Sequence, residues 1–338
     1  MSRVIHFHSC GGPEVLRIEE DHVAAPTAGE IRVRIEAIGL NRAEAAFRSG
    51  HYLESAQFPS RLGYEASGVV EALGEGVVGF TPGEAVCVIP AFSMTRYGVY
   101  AELANVPASA VLRRPPDLSA TAAAALWMAY LTAYGALIDI AQLGKGDHVV
   151  ITAPSSSVGL AAIQLANFVG AVPIAITRSP HKRDALLAAG ARHVIAHETP
   201  SATIAQVMQA SGDGGVRLVF DSVAGPEVKT LAAMLAPRGT LIVYGNLSGA
   251  GDSTPFPFRE AVGKGLSLRG YLVFELIRDA QRLRAAEAFI RDALRRKAIQ
   301  PTISRIFPFA EIIQAHRYLE SNQQLGKVIV EIPPQQIH

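Results

Sequence analysis

Two kinds of hydrophobic pattern divide the chain into an N-terminal and a central region. Near the N-terminus, residues 31–37 alternate apolar and polar side chains, and residues 68–74 and 85–90 are short apolar segments that end at glycine or proline. Such segments are typical of strands joined by turns. From residue 147 the short segments are apolar throughout and alternate with helical patterns. That alternation predicts βαβ units and a parallel sheet covered on both faces.

The central pattern predicts a doubly wound α/β domain, which we place at residues 125–265. Its predicted strands are residues 149–153, 172–177, 193–196, 218–221 and 240–245, and its predicted helices are residues 158–170, 180–190, 201–211 and 226–236. The remaining tail holds a charged helix and a last apolar strand, and is too short to form a domain by itself. We therefore expect it to return to the N-terminal domain, which would comprise residues 1–124 and 266–338.

The composition narrows the class of protein. Of the 338 residues, 49% are hydrophobic and 18% are charged, which is enough apolar material for a sizeable core. The net charge of +1 lacks the basic excess of a protein that covers a phosphate backbone. Cys10 and Cys87 form neither a disulfide framework nor a zinc-site pair. We expect both to be free thiols in a reducing compartment.

One apolar segment has nearly the length of a membrane-spanning helix. Residues 120–141 approach the required length, but they are rich in alanine and contain Asp139. A single aspartate costs about 3 kcal/mol at the centre of a bilayer. We therefore expect a buried helix here. Because the N-terminal residues also lack the apolar run of a targeting signal, we expect a soluble cytoplasmic protein with neither a membrane nor a nucleic acid as partner.

The first turn of the central domain is a candidate phosphate site. An open parallel sheet binds ligands outside the carboxyl ends of its strands, and a helix N-terminus there offers free N–H groups to a pyrophosphate. The turn after residues 149–153 supplies mostly small residues where the backbone would approach a phosphate, namely Ser156, Ser157, Val158 and Gly159. Only the last glycine of the usual G-x-G-x-x-G pattern is present. An ordinary strand–helix turn is therefore the alternative.

The end of the second central strand distinguishes between cofactors. An NAD site places a carboxylate about 20 residues after the glycine turn, where it accepts from the ribose 2′-hydroxyl. This strand ends at Thr177, which we count among the cofactor-binding residues, and no carboxylate follows until Asp184, inside the next helix. Arg178, Ser179 and Lys182 offer donors for a 2′-phosphate instead. We therefore predict NADPH as the cofactor, with a solvated basic helix start as the alternative.

Six short motifs occur in order along the whole chain. They are residues 11–16 (GGPEVL), 39–52 (GLNRAEAAFRSGHY), 62–68 (LGYEASG), 131–134 (LTAY), 244–249 (YGNLSG) and 326–330 (GKVIV). Each is modest alone, but together they resemble the medium-chain dehydrogenase/reductase superfamily, in particular its zinc-free quinone oxidoreductase branch. The resemblance implies a GroES-like β domain plus a doubly wound Rossmann domain with a parallel sheet. It also implies an active site in the cleft between them.

The departures from the family pattern concern zinc. Zinc-dependent relatives place a cysteine where Asn41 stands and a histidine where Tyr64 stands, and the four-cysteine lobe of structural zinc is absent. We therefore expect no metal. Without a Lewis acid, oxidation of a simple alcohol lacks a means of stabilising an alkoxide. An acceptor that is already electrophilic needs no such help, which points to quinones or α,β-unsaturated carbonyls.

The resemblance also implies roles for individual residues. Tyr52 matches a tyrosine proton donor of related enoyl thioester reductases, and Asn41 is expected to donate an amide hydrogen bond to substrate or to the cofactor ribose. A Tyr52 that only lines the pocket and an Asn41 that only forms a turn are the alternatives. Further residues fall at cofactor-lining positions of the family: Thr132, His197, Gly245, Asn246, Ser248, Tyr271 and Lys327.

Three functions stay open at this point. The first is an NADPH-dependent quinone oxidoreductase, and the second is an alkene reductase acting on α,β-unsaturated ketones or enoyl thioesters. The third is a non-catalytic NADPH-binding protein. Family members commonly pair through an edge of the Rossmann sheet. The apolar residues 267–273 would be that edge here, so we expect a homodimer.

Overall fold

The computed structural model describes residues 1–333 and divides the chain into two compact units. Unit 1 comprises Met1–Met128 together with the segment that begins at Pro301, and unit 2 is Ala129–Gln300. Residues 334–338, which end the tail predicted to belong to the N-terminal domain, lie outside the described residues.

The strands and helices follow one another in a fixed order. The strands are β1 (Ser2–His6), β2 (Arg17–Asp21), β3 (Glu30–Leu40), β4 (Ala66–Leu73), β5 (Ala85–Val88), β6 (Leu103–Pro107), β7 (Val111–Arg113), β8 (His148–Thr152), β9 (Val172–Thr177), β10 (His193–Ala196), β11 (Val216–Asp221), β12 (Leu235–Val243), β13 (Ser267–Gly270), β14 (Ile303–Pro308) and β15 (Lys327–Glu331). The α-helices are α1 (Arg42–Ser49), α2 (Ala120–Ala123), α3 (Trp127–Tyr134), α4 (Ser157–Phe168), α5 (Arg183–Ala188), α6 (Pro200–Ala210), α7 (Val228–Ala233), α8 (Phe258–Lys264), α9 (Phe274–Ile277), α10 (Ala280–Arg295) and α11 (Ile312–Glu320).

Unit 2 is built on a six-stranded parallel sheet in the order β10-β9-β8-β11-β12-β13. The chain therefore adds β9 and β10 outwards on one side of β8. It then crosses back to the other side of β8, where it adds β11, β12 and β13 in turn. Its central strands are apolar throughout because both faces are covered, and Val150, Ile174 and Val219 are fully buried. The strand order is that of a Rossmann domain, as predicted, and its direction reverses between β8 and β11.

Unit 1 contains a seven-stranded, mostly antiparallel sheet in the order β14-β15-β3-β4-β5-β7, with β6 also paired to β3. The first half of β3 alternates buried and partly exposed residues, as the period-two pattern predicts. Its second half, towards Leu40, is buried throughout, because β15 and β4 flank it there. The antiparallel sheet confirms the expected β domain.

The C-terminal tail, which begins at residue 266, is shared between the two units, whereas we predicted that all of it belongs to the N-terminal domain. We expected residues 266–300 to return to the N-terminal domain, but they belong to unit 2. The reason is that β13 pairs in parallel with β12 and forms the sixth strand of that sheet. Only the segment from Pro301 onwards returns to unit 1, where β15 pairs with β3.

One segment of the described residues is long and apolar enough to cross a membrane. It is Ala120–Ile140, and 83% of its most apolar window is buried inside the structure. Core helices of soluble proteins show the same burial.

Candidate active site

The carboxyl edge of the unit 2 sheet is organised around the point where the strand order reverses. There the Thr152 Oγ1 at the end of β8 donates to the Asp221 Oδ1 at the end of β11, at 2.7 Å. The same carboxylate accepts from the backbone N–H groups of Val223 (3.0 Å) and Ala224 (2.8 Å). Asp221 is fully buried, and it fixes the loop that leaves β11. Sequence reasoning missed this pair, although an aspartate that ends an apolar strand is its signal.

The turn after β8 is shaped by Ser156 and Gly159. Ser156 is the N-cap of α4, and its Oγ accepts from the Gly159 N–H at 3.0 Å. A Cβ on Gly159 would lie 2.7 Å from the backbone of Ala153 and Pro154, so this tight turn requires glycine. The following residues of the predicted set, Ser157 and Val158, form the half-buried first turn of α4.

The residues predicted to hold a 2′-phosphate lie together at the end of β9. Thr177 is buried, and its Oγ1 accepts from the Ser179 N–H at 3.1 Å, which shapes the turn. Arg178 is exposed and Ser179 is half-buried. Lys182 is mostly buried, which lowers its pKa, and its Nζ donates to the Ser155 Oγ at 3.0 Å. Lys182 thus joins this segment to the turn before α4.

His197 lies beside the same segment. Its backbone N–H donates to the Thr177 oxygen at 2.8 Å, because β10 runs parallel to β9. The half-buried His197 therefore follows the carboxyl end of β10 next to Arg178. The first carboxylate after β9 in the sequence is Asp184, which lies inside α5.

A loop after β12 closes this edge. A Cβ on Gly245 would lie 2.9 Å from the Ser222 oxygen, so the two chain segments approach closely there. The exposed Asn246 accepts from the Gly251 N–H at 2.8 Å, and the exposed Ser248 accepts from the Ala250 N–H at 3.0 Å. Both side chains therefore shape the loop through their oxygens. The Ser248 hydroxyl also donates to the Asn246 Oδ1 at 3.4 Å, whereas the exposed Asn246 amide carries N–H donors at the surface.

Hydroxyl groups collect beneath this loop. Burial raises the pKa of the Tyr244 phenol, while the neighbouring hydroxyls of Ser222 and Ser156 act in the opposite direction. The ring of Tyr244 stacks on Phe220, with centroids 4.0 Å apart. Sequence reasoning missed Tyr244 and Ser222. Three hydroxyl groups thus lie close to one another beside the N-terminus of α4.

Two predicted cofactor residues of unit 2 are buried in its interior. Thr132 lies on α3 and is 7% exposed. Tyr271 is buried, and its hydroxyl donates to the Leu131 oxygen at 3.4 Å. Tyr271 also packs directly on the backbone of Gly135, where a Cβ would lie 1.9 Å from the phenol oxygen. Its hydroxyl therefore has an internal partner.

Unit 1 contains a buried polar network centred on Glu44. The Glu44 Oε2 accepts from the Asn41 N–H at 2.7 Å, and its Oε1 accepts from the Tyr64 N–H at 3.1 Å. The carboxyl group is fully buried, and burial raises its pKa to about 7. Sequence reasoning missed this role. The Asn41-x-x-Glu44 spacing of a helix capping box is the signal that marks it.

Lys327 belongs to the same network. Its Nζ donates to the Asn41 Oδ1 and to the Glu65 Oε2, and the Lys327 side chain is 1% exposed. The other Glu65 oxygen accepts from the Met128 N–H at 2.9 Å. Burial raises the pKa of Glu65, while the ammonium of Lys327 acts in the opposite direction. We expected Lys327 to line the cofactor, but its ammonium is buried against an asparagine and a carboxylate of its own unit.

The hydrogen bonds of Asn41 change its expected role. Its Nδ2 donates to the Gly39 oxygen at 3.0 Å and to the Glu44 Oε1 at 3.2 Å. An amide nitrogen has two hydrogens, so both are used inside unit 1. We expected Asn41 to donate to a ligand. The structure leaves it only a lone pair on Oδ1, and the residue is 9% exposed.

Tyr52 follows the C-cap of α1 and is half-buried. Its ring lies 6.3 Å from the ring of Phe47 and 6.3 Å from the ring of Tyr64, between centroids. Burial raises the pKa of Tyr52 to about 12, and the neighbouring Tyr64 hydroxyl acts in the opposite direction. The phenol is therefore protonated at neutral pH and is chemically able to donate a proton.

The two positions that hold zinc ligands in zinc-dependent relatives carry Asn41 and Tyr64, as the sequence indicates. Within residues 1–333, no group of three or more histidine, cysteine, aspartate or glutamate side chains is arranged to hold a metal ion.

The carboxyl edge of unit 2 fits an anionic dinucleotide by its chemistry. Glycines at 159 and 245 leave no side chain where the backbone approaches closely. The N-terminus of the 12-residue helix α4, the hydroxyl of Ser156 and the exposed Arg178 are all donors. Such donors suit phosphate groups.

Comparisons with known proteins agree with both units. The sequence model of the family described as "Zinc-binding dehydrogenase" matches residues 157–291. The model described as "Alcohol dehydrogenase GroES-like domain" matches residues 27–116.

Full-length relatives share the same organisation. The 2-haloacrylate reductase of a Burkholderia species is 29% identical over 335 residues, which covers 96% of this chain and 97% of the relative. The quinone oxidoreductase of Rattus norvegicus is 27% identical over 332 residues, which covers 98% of each chain. The structure of Escherichia coli quinone oxidoreductase complexed with NADPH superposes with a TM-score of 0.89 at 29% identity, covering 98% of this chain and all of the other. The chain therefore belongs to the medium-chain dehydrogenase/reductase superfamily, in its quinone oxidoreductase-like branch.

Proposed function

We propose that this protein is an NADPH-dependent oxidoreductase that transfers hydride to quinones or related electrophilic carbonyls without zinc. Its family makes it an NAD(P)H-dependent oxidoreductase, and the proposal concerns the acceptor and the residues that act on it. The observation that carries it is the carboxyl edge of unit 2, which offers hydrogen-bond donors and a cation to a phosphorylated dinucleotide.

NADPH is the cofactor. The segment after β9 presents Arg178 and Ser179 where a carboxylate would accept from the ribose of NADH, and Lys182 steadies that segment against Ser155. A relative with the same fold was solved with NADPH. When bound, NADPH supplies the hydride.

The chain's own residues must manage the negative charge that develops on the acceptor oxygen. The Cys and His of zinc-dependent relatives are replaced by Asn41 and Tyr64, so a protein donor is needed. Tyr52 holds its proton at neutral pH, because burial raises its pKa to about 12. We assign it the role of donating that proton to the oxygen. Asn41 contributes an acceptor oxygen, held in place by Lys327.

Alkene reduction is the second candidate, and two observations favour it. An α,β-unsaturated carbonyl that takes hydride at its β-carbon becomes an enolate and requires a proton, which a protonated Tyr52 can give. In addition, a relative that is 29% identical is named for the reduction of 2-haloacrylate, an activated alkene. Enones and enoyl thioesters are therefore the alternative acceptors.

Oxidation of NADPH, measured against a panel of quinones, enones and enoyl thioesters, tests the proposal. Tyr52→Phe removes the proton but keeps the ring, so kcat should fall roughly 10- to 1000-fold while NADPH affinity stays unchanged. The loss should be larger for enones than for quinones. If the wild type binds NADPH but reduces no acceptor, the protein is instead a non-catalytic NADPH-binding protein. If Tyr52→Phe is as active as wild type, Tyr52 only lines the pocket.

We further propose a cytoplasmic homodimer that pairs through β13. This strand is the last of its sheet, and an unpaired strand edge is a site of association. Three large apolar side chains in the segment that precedes it are more than 60% exposed, namely Phe256, Phe258 and Val262. Light scattering should give twice the 35.9 kDa mass of one chain at micromolar concentration, and a monomer mass would contradict the proposal.

A further inference from the structure

The carboxylate of Glu54 is tied to the aromatic cluster that contains Tyr52. The Ser93 Oγ donates to the Glu54 Oε2 at 2.8 Å, which joins the segment that carries Tyr52 to the loop after β5 (residues 89–97). The neighbour of Ser93, Phe92, is buried, and its ring lies 5.7 Å from that of Tyr64, between centroids. The Tyr64 ring in turn lies 6.3 Å from that of Tyr52. The structure therefore holds a carboxylate beside the phenol that we assign as proton donor.

The tether on Glu54 is rigid because the Ser93 side chain is fully hydrogen-bonded. Its hydroxyl hydrogen is given to Glu54, so the Thr95 hydroxyl, 2.7 Å away, must donate to the Ser93 Oγ. The Thr95 N–H donates to the same oxygen at 3.1 Å. The Ser93 carbonyl oxygen accepts from the Tyr97 N–H at 3.1 Å, which closes the turn. The position of the Glu54 carboxylate is thus set by the loop rather than by solvent.

The surroundings of the Tyr52 phenol are negative and apolar. Burial is the largest cause of the raised pKa of Tyr52, and the charges of Glu44 and Glu54 add to it. The field of Glu54 therefore reaches the phenol oxygen. Leu53, which lies between Tyr52 and Glu54 in the chain, is 78% exposed. A molecule that approaches Tyr52 meets an apolar side chain and a fixed negative charge.

Three cations lie close to these segments in the chain or in the fold. Arg48, on the last turn of α1, pairs with Glu320 at 2.9 Å, and its side chain is 1% exposed. Lys327 is equally buried and is paired with a glutamate. Arg96 is exposed on the Ser93 loop, where its guanidinium lies over the Tyr97 ring, 5.5 Å from the centroid. Of these three, Arg96 is therefore the one whose effect on a ligand must be tested.

We propose that Glu54 is a specificity-determining residue, which restricts the acceptor to molecules that are uncharged at the end that meets Tyr52 and rejects carboxylates there. The negative charge that develops on the acceptor oxygen is transient, because the proton of Tyr52 neutralises it. A carboxylate on the substrate is permanent, and Glu54 repels it. Quinones, ketones and esters fit this requirement. The inference rests on the proposed function and names the charge of its substrate.

Two acceptors that differ chiefly in charge test the proposal. 4-Oxopent-2-enoate and its methyl ester are both enones, and only the acid is an anion at neutral pH. Glu54→Gln keeps an oxygen that accepts from Ser93 and removes the charge. The kcat/KM for the acid should therefore rise roughly 5- to 30-fold relative to that for the ester, the effect of one charge pair near a protein surface. An unchanged ratio would overturn the proposal.

Two control variants separate the charge of Glu54 from other effects. Glu54→Asp keeps the charge and should preserve the wild-type ratio of acid to ester. Glu75→Gln removes an exposed carboxylate of the same unit and should also preserve it. If Glu75→Gln changes the ratio as much as Glu54→Gln does, the net charge of the protein is responsible, which contradicts a specific role for Glu54.

The exposed cation requires its own variant. Arg96→Ala should not lower kcat/KM for the acid relative to that for the ester, because Arg96 is stacked on Tyr97. A lower relative value for the acid would mean that Arg96 recruits the anion, and the site would then accept carboxylates, contrary to the proposal.

Binding measured without turnover separates this inference from the proposed function. Ligand-observed NMR on the NADP⁺-bound protein gives Kd values for two saturated probes, 4-oxopentanoate and its methyl ester. Wild type should bind the ester more tightly, and Glu54→Gln should reduce that preference through tighter binding of the acid. If Glu54→Gln leaves both Kd values unchanged, the inference fails even when enones are reduced. If the preference behaves as expected but no acceptor is reduced, the proposed function fails, whereas the charge selectivity of the site stands.

Discussion

The polar groups of the two units are used in opposite ways. In unit 1, Glu44, Asn41, Glu65 and Lys327 are all buried and bind one another through their side chains. At the carboxyl edge of unit 2, Arg178 and other polar side chains reach the surface. The difference shows that a polar residue in a family motif does not by itself mark a ligand contact. What matters is whether its donors and acceptors are already used within the chain.

The charges differ in the same way. The buried network has two carboxylates and one ammonium, so it carries one uncompensated negative charge when both glutamates are ionised. Burial of that charge is unfavourable, and a raised pKa is its expected result. At the carboxyl edge of unit 2, the exposed Arg178 directly follows β9, and no carboxylate stands at the end of that strand. An exposed cation in this position suits a phosphate group.

Removal of the single ammonium should have the largest effect. Lys327→Met leaves Glu65 buried without its cation, and breaking a buried pair costs about 3–5 kcal/mol. Urea unfolding followed by the fluorescence of Trp127, the only tryptophan and a buried residue of unit 1, measures the loss. The exposed Lys229→Met is the control and should change stability by less than about 0.5 kcal/mol. If Lys327→Met and Lys229→Met lower the free energy of unfolding equally, the buried network of unit 1 does not depend on the charge of Lys327.

The surplus charge predicts a pH dependence of stability. The pKa of Glu44 rises from 4.5 to about 7 on folding, so the folded protein binds this proton more tightly than the unfolded chain. Its contribution is complete below pH 4.5 and is lost as the pH rises towards 7. Glu44→Gln removes this titration. Relative to wild type, the variant should therefore gain on the order of 1–3 kcal/mol between pH 5 and pH 8.

Thermal unfolding at the two pH values measures that gain. Glu75→Gln, at an exposed position of the same unit, is the matched control and should show the same difference from wild type at both pH values. A Glu44→Gln curve parallel to that of wild type would mean that Glu44 does not titrate in this range.

Discrimination between NADPH and NADH tests the exposed polar residues at the carboxyl edge of unit 2. Wild-type protein should bind NADPH at least about tenfold more tightly than NADH, equivalent to about 1.4 kcal/mol. Arg178→Ala should remove most of that preference by weakening NADPH and leaving NADH unchanged. Fluorescence titration at constant ionic strength measures both. Arg192→Ala changes an exposed arginine at the opposite end of the neighbouring strand β10, so it should leave the preference intact. Equal affinities in wild type would refute the prediction.

The smallest effect concerns Ser156. Ser156→Ala removes the N-cap of α4 and should cost about 1 kcal/mol, whereas Ser156→Gly should cost only a few tenths. The hydroxyl oxygen of Ser156 accepts from Gly159, so its proton remains available to a ligand. Both variants should therefore weaken NADPH binding by the same factor, in contrast to their unequal melting temperatures. A loss of NADPH affinity that follows stability would assign Ser156 to the cap alone.

The sequence predicted unit 2 well because its strands are buried on both faces. The bounds of β9 and β10 agree with the predicted segments, since a continuous apolar run between turn residues marks such strands directly. The strand order then placed Arg178 and Ser179 at one edge with Gly159, because carboxyl ends of parallel strands lie side by side. That inference needed no knowledge of contacts between distant residues.

Unit 1 was less predictable, for a physical reason. The strand β2 has four charged residues among its five, and its stability comes from antiparallel pairing with β1, which the local pattern does not reveal. Likewise, residues 41, 65 and 327 meet only because β15 pairs with β3 across almost the whole length of the chain. A family motif placed Lys327 at the cofactor, but only that pairing shows that its charge is neutralised by a glutamate.

The pairing of β15 with β3 also determines which unit can complete its fold first during translation. Unit 2 is one continuous segment, Ala129–Gln300, and all strands of its sheet have left the ribosome before β15 is made. Unit 1 begins first but finishes last, because the edge of β3 and the carboxylate of Glu65 have no partners until Lys327–Glu331 is translated. Domains fold as units and usually in N-terminal order during translation. Here the edge of β3 stays unpaired while about 200 residues beyond the N-terminal sheet are translated. Chaperones protect unpaired strand edges of this kind.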